Sequence, residues 1–154
     1  MADRSAEEQL AAFIAEYTPE IAALAEAALA KLRARLPGAI ELVYDNYNAL
    51  AIGFGPTERA SEVIFSLALY PRWVSLFFMP AKPLRDPHNL LKGSGKVARH
   101  IVLRDATDLD MPEIVELMAE ALKCAAKPLA ENASNRLIIK SVSAKQRPRR
   151  PVLK

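Results

Sequence analysis

The sequence predicts an α+β fold, an antiparallel sheet of about five strands packed with N-terminal helices and one C-terminal helix. Three observations carry that expectation. Capped stretches with apolar residues at helical spacing run from Ser5 to Leu36. Alternating apolar runs follow from Ile40 to Leu103, with links too short for the crossovers that parallel strands need. A further amphipathic stretch begins after Asp110. The length of 154 residues suits one domain, taken as residues 1–144. Residues 145–154, rich in Pro and Arg, read as a mobile tail.

The elements follow in order. Ser5-Ala6-Glu7-Glu8 is a capping box, and Leu10, Phe13, Ile14 and Tyr17 share one helical face. Thr18 stops that helix and caps the next, with Pro19 at a position whose missing N–H needs no partner. Ile21, Leu24, Ala28, Leu32 and Leu36 form its buried stripe. Ala23, Ala27, Ala30 and Ala34 form a second stripe, small enough to admit another helix from this chain or from a second copy. Pro37-Gly38 ends the helix.

Ile40–Tyr44 alternates, and Asp45-Asn46-Tyr47-Asn48 supplies turn chemistry. Leu50, Ile52 and Phe54 give the next strand a bulky face, while Ala49, Ala51 and Gly53 leave the other bare. Val63–Tyr70 and Trp73–Met79 are apolar on both faces and read as a central hairpin covered by helices. Ala98–Leu103 reads as a further strand. Asp110-Met111-Pro112-Glu113 opens a last long helix with Ile114, Leu117, Met118, Ala121, Leu122 and Ala125 on its core stripe, and Pro128 ends it. Arg136–Ser143 reads as a short strand or an extended arm.

Composition narrows the function classes. No apolar run reaches the ~18–20 residues that span a bilayer, and the first residues lack a secretory layout. A cytoplasmic protein without membrane partners is the expectation. Cys124 is the single cysteine, so there is no internal disulfide, and with only His88 and His100 beside it no zinc set of the Cys₄ or Cys₂His₂ kind. The net charge of +3 resides in the tail, where Lys145, Arg147, Arg149, Arg150 and Lys154 stand without an acid. Removing those five from 21 basic residues leaves 16 against 18 acidic ones, a body of −2. Nucleic acid is therefore expected to bind only weakly, through the tail, and a protein- or nucleic-acid-interaction module that uses this tail stands as an alternative function.

Two clusters stand out as candidate sites. Lys92, Lys96, Arg99 and His100 surround Gly93-Ser94-Gly95 and form a candidate anion site. The segment departs from a phosphate-binding P-loop at Leu90 and Val97 and leads into a strand rather than a helix. As an enzyme or small-anion binder, it would work over the bare strand face and need a concave pocket there. Glu113, Glu116 and Glu120 recur at i, i+3 and i+7 and offer hard oxygen ligands to iron or another cation. The same glutamates, followed by Lys123 and Lys127, also match a solvated face that complements the helix dipole. Asp105 and Asp108 read as turn and cap residues. No catalytic constellation is visible, so the residues favour a binding protein over an enzyme.

Four segments, Tyr17-Thr18-Pro19-Glu20-Ile21, Glu41-Leu42-Val43-Tyr44-Asp45, Leu69-Tyr70-Pro71-Arg72-Trp73-Val74 and Leu91-Lys92-Gly93-Ser94-Gly95-Lys96, precede Arg99-His100-Ile101. In that order they resemble the YdhG-like family, a bacterial domain of unknown function. The resemblance implies helices packed on an antiparallel sheet. Some relatives are described as frataxin-like intracellular iron chaperones. It thus implies iron as a cargo, held by acidic surface such as Glu7, Glu8, Glu16 and Glu20 or the Glu113 series. Alanines at 22, 23, 27 and 30 thin that acidity along the second helix.

Overall fold

The computed structural model describes residues 5–93, 98–130 and 136–152. Capping chemistry starts helix α1 (Ala6–Ala15), where the Glu8 N–H donates to Ser5 Oγ at 3.1 Å. Helix α2 (Pro19–Arg35) begins in the same way, with the Ile21 N–H donating to Thr18 Oγ1 at 3.3 Å and Pro19 in its first turn. After Gly38, strands β1 (Ile40–Asp45), β2 (Leu50–Gly55), β3 (Phe65–Leu69), β4 (Val74–Phe78) and β5 (Arg99–Leu103) form an antiparallel meander. A short 3₁₀ turn at Ala106–Asp110 leads to α3 (Pro112–Lys123), and β6 (Arg136–Val142) closes the sheet.

Among the described residues the sheet has six strands in the order β5-β4-β3-β2-β1-β6. The antiparallel expectation holds for five of them. The sixth departs from it, because β6 runs parallel to β1, with a bulge between Val43 and Tyr44. The reason is connection length. β1 and β5 run in the same direction, and the long connection through α3 carries the chain from β5 across to the opposite edge, where β6 enters beside β1 in that direction.

One sheet face carries the core. Leu50, Ile52 and Phe54 lie beside Phe65, Leu67 and Leu69, which lie beside Val74, Leu76 and Phe78. Leu10 and Ile14 of α1, Ala25, Ala28 and Leu32 of α2, and Ile114, Leu117 and Met118 of α3 complete the same cluster. Each large side chain so buried contributes roughly 1.5–3 kcal/mol, and that burial is what fixes the three helices on this face. The stripe Ala23, Ala27, Ala30 and Ala34 is exposed. The small residues that let α2 approach the sheet are instead Ala25 and Ala28. Tyr17, just beyond α1, donates its hydroxyl to Leu69 O at 3.0 Å and accepts the Leu50 N–H at 3.1 Å, joining helix and sheet inside the core. Burial pushes its pKa up to about 12.

The last helix starts differently from the D-x-x-E expectation. Met111 occupies the N-cap without a side-chain hydrogen bond. Asp110 turns instead to Lys31 Nζ at 2.6 Å and Arg35 Nη2 at 3.1 Å on α2, and the Lys31 bond holds its carboxyl below the ordinary range. Two cations from another element outbid a local cap. Asp105 and Asp108 keep the expected turn roles, accepting the N–H groups of Thr107 and Arg104.

The sequence reads residues 145–154 as a mobile basic tail, and within that stretch Gln146, Arg147, Arg149 and Arg150 contact the β1–β2 turn and the end of α1. The Arg147 N–H donates to Tyr47 O at 2.8 Å, and the Arg149 side chain is 6 % exposed in an ion pair with Asp45 at 2.8 Å. The cause is a buried acid. Glu41 and Asp45 share the helix-covered face of β1 with Val43, and each needs a cation beside it.

Candidate functional site

Helix spacing and a tight turn together build one cleft. On α3, residues at i, i+3 and i+7 share a face, so Glu113, Glu116 and Glu120 line up beside the buried stripe of Ile114, Leu117 and Met118. The facing wall is the loop from Arg85 to Leu90. Its shape comes from Asp86, whose two carboxylate oxygens accept the N–H groups of Leu90 and Leu91, both at 2.9 Å. Asn89 adopts φ 52°, a left-handed conformation that Asn tolerates in such turns. Leu91 is buried, which anchors the loop to the core. Upstream, the Ala81 N–H donates to Cys124 O at 3.1 Å and ties the segment to the end of α3.

The resulting recess is about 290 Å³ and is lined by Arg85, Asp86, Pro87, His88, Leu90, Leu117 and the three glutamates. His88 Nε2 lies 3.7 Å from Glu116 Oε2, an ion pair when the imidazole is protonated and too long for a hydrogen bond. Glu120 pairs with Lys123 at 3.3 Å. Asp86 is committed to the backbone. Negative charge therefore dominates the mouth, while Leu90 and Leu117 give it an apolar component. The structure thus gathers the Glu113 series in one cleft, as its helical spacing expects. Among the described residues, however, no group of three His, Cys, Asp or Glu side chains is placed to hold a metal ion. His88, beside Glu116, and Arg85, on the opposite wall of the recess, were missed as neighbours of that row. The one sequence signal was the turn chemistry of Asp86-Pro87-His88-Asn89, which says that the chain bends but not toward what.

Of the anion candidates that the structure describes, Lys92 and His100 sit side by side as a bridge pair, while Arg99 lies on the other sheet face. Lys96, with Ser94 and Gly95, lies outside the described residues. Lys92 meets His100 through the backbone, the Lys92 N–H donating to His100 O at 2.6 Å and the His100 N–H to Lys92 O at 3.0 Å. Arg99 pairs with Phe78 and His100 with Phe77, so the two side chains point to opposite sheet faces. The His100 ring packs on Phe77 with centroids 5.0 Å apart. His100 does share a face with Gly53, but β4 and β3 intervene, a separation of roughly 14 Å at ordinary strand spacing. The expected pocket over the bare strand is partly filled too. A Cβ at Gly53 would meet both Val63 methyls at 3.1 Å. The missing side chain makes room for Val63 rather than for a ligand.

The remaining acids have partners or solvent. Glu7 pairs with Arg33 at 2.8 Å, Glu8 accepts from the Ser5 hydroxyl at 3.2 Å, and Glu16 and Glu20 are exposed. Arg33 also makes three hydrogen bonds to the Glu41 carboxylate, between 2.8 and 3.1 Å, and these raise the guanidinium above its ordinary value. Cys124 is half-buried, its Sγ 3.8 Å from Pro83 O. Among the described residues no helix is long and apolar enough to cross a membrane. No family model, curated protein or solved structure matches the chain.

Proposed function

We propose that the protein is a non-enzymatic binding protein whose ligand occupies the cleft between α3 and the Arg85–Leu90 loop and carries positive charge. The supporting observation is the convergence of Glu113, Glu116 and Glu120 on one recess that Leu90 and Leu117 also line. Its volume of about 290 Å³ lies at the lower end of small-molecule sites, which suits a short organic amine. An ammonium group asks for carboxylate acceptors and its carbon chain for an apolar wall. Iron, the cargo that the YdhG-like resemblance implies, asks for several donors on one point. The absence of such a group among the described residues favours the amine. A cytoplasmic setting belongs to the same reading, with its lone free thiol at Cys124.

Isothermal titration with putrescine, and anaerobically with ferrous iron, separates the two. Putrescine should give a saturable heat that Glu113→Gln/Glu116→Gln weakens at least about tenfold, the equivalent of ~1.4 kcal/mol. Heat from iron alone would return the cleft to the frataxin-like reading. Silence from both, with unmoved α3 resonances in NMR, would remove the cleft as a site.

A further inference from the structure

Around Arg149 the fold builds a receptor for one guanidinium group. The Asp45 carboxylate, 3 % exposed, accepts from Nη2 at 2.8 Å. The carbonyls of Asn46 and Tyr47 accept from Nη2 and Nη1 at 2.5 and 3.4 Å. The Tyr17 ring lies below, its centroid 5.8 Å from the guanidinium carbon. All four features belong to α1's end, β1 and the β1–β2 turn. The chain that fills them makes further contacts beside the slot: the Arg147 guanidinium lies over the Tyr47 ring at 5.7 Å, Arg150 Nη2 donates to Ala15 O at 3.5 Å and the Ser143 N–H donates to Asp45 O at 2.8 Å. The Arg147 N–H bonds Tyr47 O, Gln146 Nε2 bonds Asp45 O at 3.2 Å, and Arg150 Nε bonds Glu16 O at 3.1 Å. Arg149 Nε is buried without a partner, so the slot grips the side chain by its tip.

We infer that this notch is a binding site for an arginine of an extended peptide, occupied in cis by Arg149, and that a peptide of the same kind binds there in trans when the C-terminal strap is displaced. A buried carboxylate left without its cation is strongly unfavourable, so an emptied notch selects a positive side chain. The planar guanidinium matches a carboxylate with two flanking carbonyls, whereas the lysine ammonium does not. The ligand backbone adds the Tyr47 contact, and the body's charge of −2 favours a basic segment. The strap then acts as a resident competitor.

A fluorescent peptide of residues 145–154 tests this by anisotropy against the full chain. The wild type should bind it weakly. Arg149→Ala should bind it at least about tenfold more tightly, and adding Asp45→Asn should cancel the gain. A peptide with alanine in place of Arg149 should not bind. Arg149→Lys keeps a cation against Asp45 and guards against misfolding, and it should bind the peptide with an affinity between those of wild type and Arg149→Ala. Equal affinity of folded Arg149→Lys and wild type would overturn the inference. So would equal binding of the arginine and alanine peptides.

Discussion

Replacing Arg33 by methionine puts the buried carboxylate of β1 to a direct test. Glu41 has a side chain only 3 % exposed, and among the described residues Arg33 supplies the three side-chain hydrogen bonds its carboxylate accepts. Removing one partner of a buried pair costs about 3–5 kcal/mol. Arg33 itself is 30 % exposed, so water can enter its place, and the low end of about 3 kcal/mol is expected. For a chain of this size that lowers Tm by roughly 6–12 °C. The reverse change should be milder. In Glu41→Gln the guanidinium still reaches solvent and Glu7. The pair Arg33→Met/Glu41→Leu should return to within about 1 kcal/mol of wild type, since no charge is then left buried. Urea unfolding with linear extrapolation reads all three variants. A loss below about 1 kcal/mol for Arg33→Met, or a double variant worse than either single one, would refute the reasoning.

Three more outcomes follow from particular residues. Tyr17 has its pKa pushed up to about 12 by burial, so its contribution is complete below the ordinary value of 10.0 and is lost as pH rises toward about 12. Absorbance titration at the phenolate band should show Tyr17 as the last tyrosine to ionise, with Tyr70 also raised by its burial, and Tyr17→Phe should remove that last step while costing about 1–3 kcal/mol through the stranded Leu50 N–H. Gly38 has φ 82°, and a Cβ there would stand 1.9 Å from Ala130 O. Gly38→Ala should therefore cost more than the ~1–2 kcal/mol of a left-handed backbone alone, as thermal melts will show. Asp110 has its carboxyl held low by Lys31, so its stabilisation is present above the ordinary value of 3.8 and fades as pH falls below it. Asp110→Asn should flatten the fall in Tm between pH 5 and pH 2.5.

Local signals were legible where local partners decide the outcome. Ser5 and Thr18 cap helices because the N–H groups they satisfy lie three residues away. The meander was legible for the same reason, since each strand pairs with its neighbour in sequence. Asp110 misled because its carboxylate is claimed by α2, 79 residues distant along the chain. Alternation in β1 defines two faces but not which one turns inward. Glu41 and Asp45 face the helices only because Arg33 and Arg149 meet them, and Arg149 lies 104 residues from Asp45. A run of arginines and prolines gives no hint of that rendezvous. At the cleft, the glutamate spacing was legible, whereas His88 depended on a loop folding back across α3.

Strand order also bears on synthesis. From β1 to β5 each strand can zip onto the one made just before it, so these hairpins close while the ribosome is still at work. β6 comes last and must travel back to the first strand laid down. A nascent chain paused before residue 136 therefore shows a raw β1 flank and an aspartate still awaiting its counterion. Quality control has its best opportunity to grip this chain in that interval.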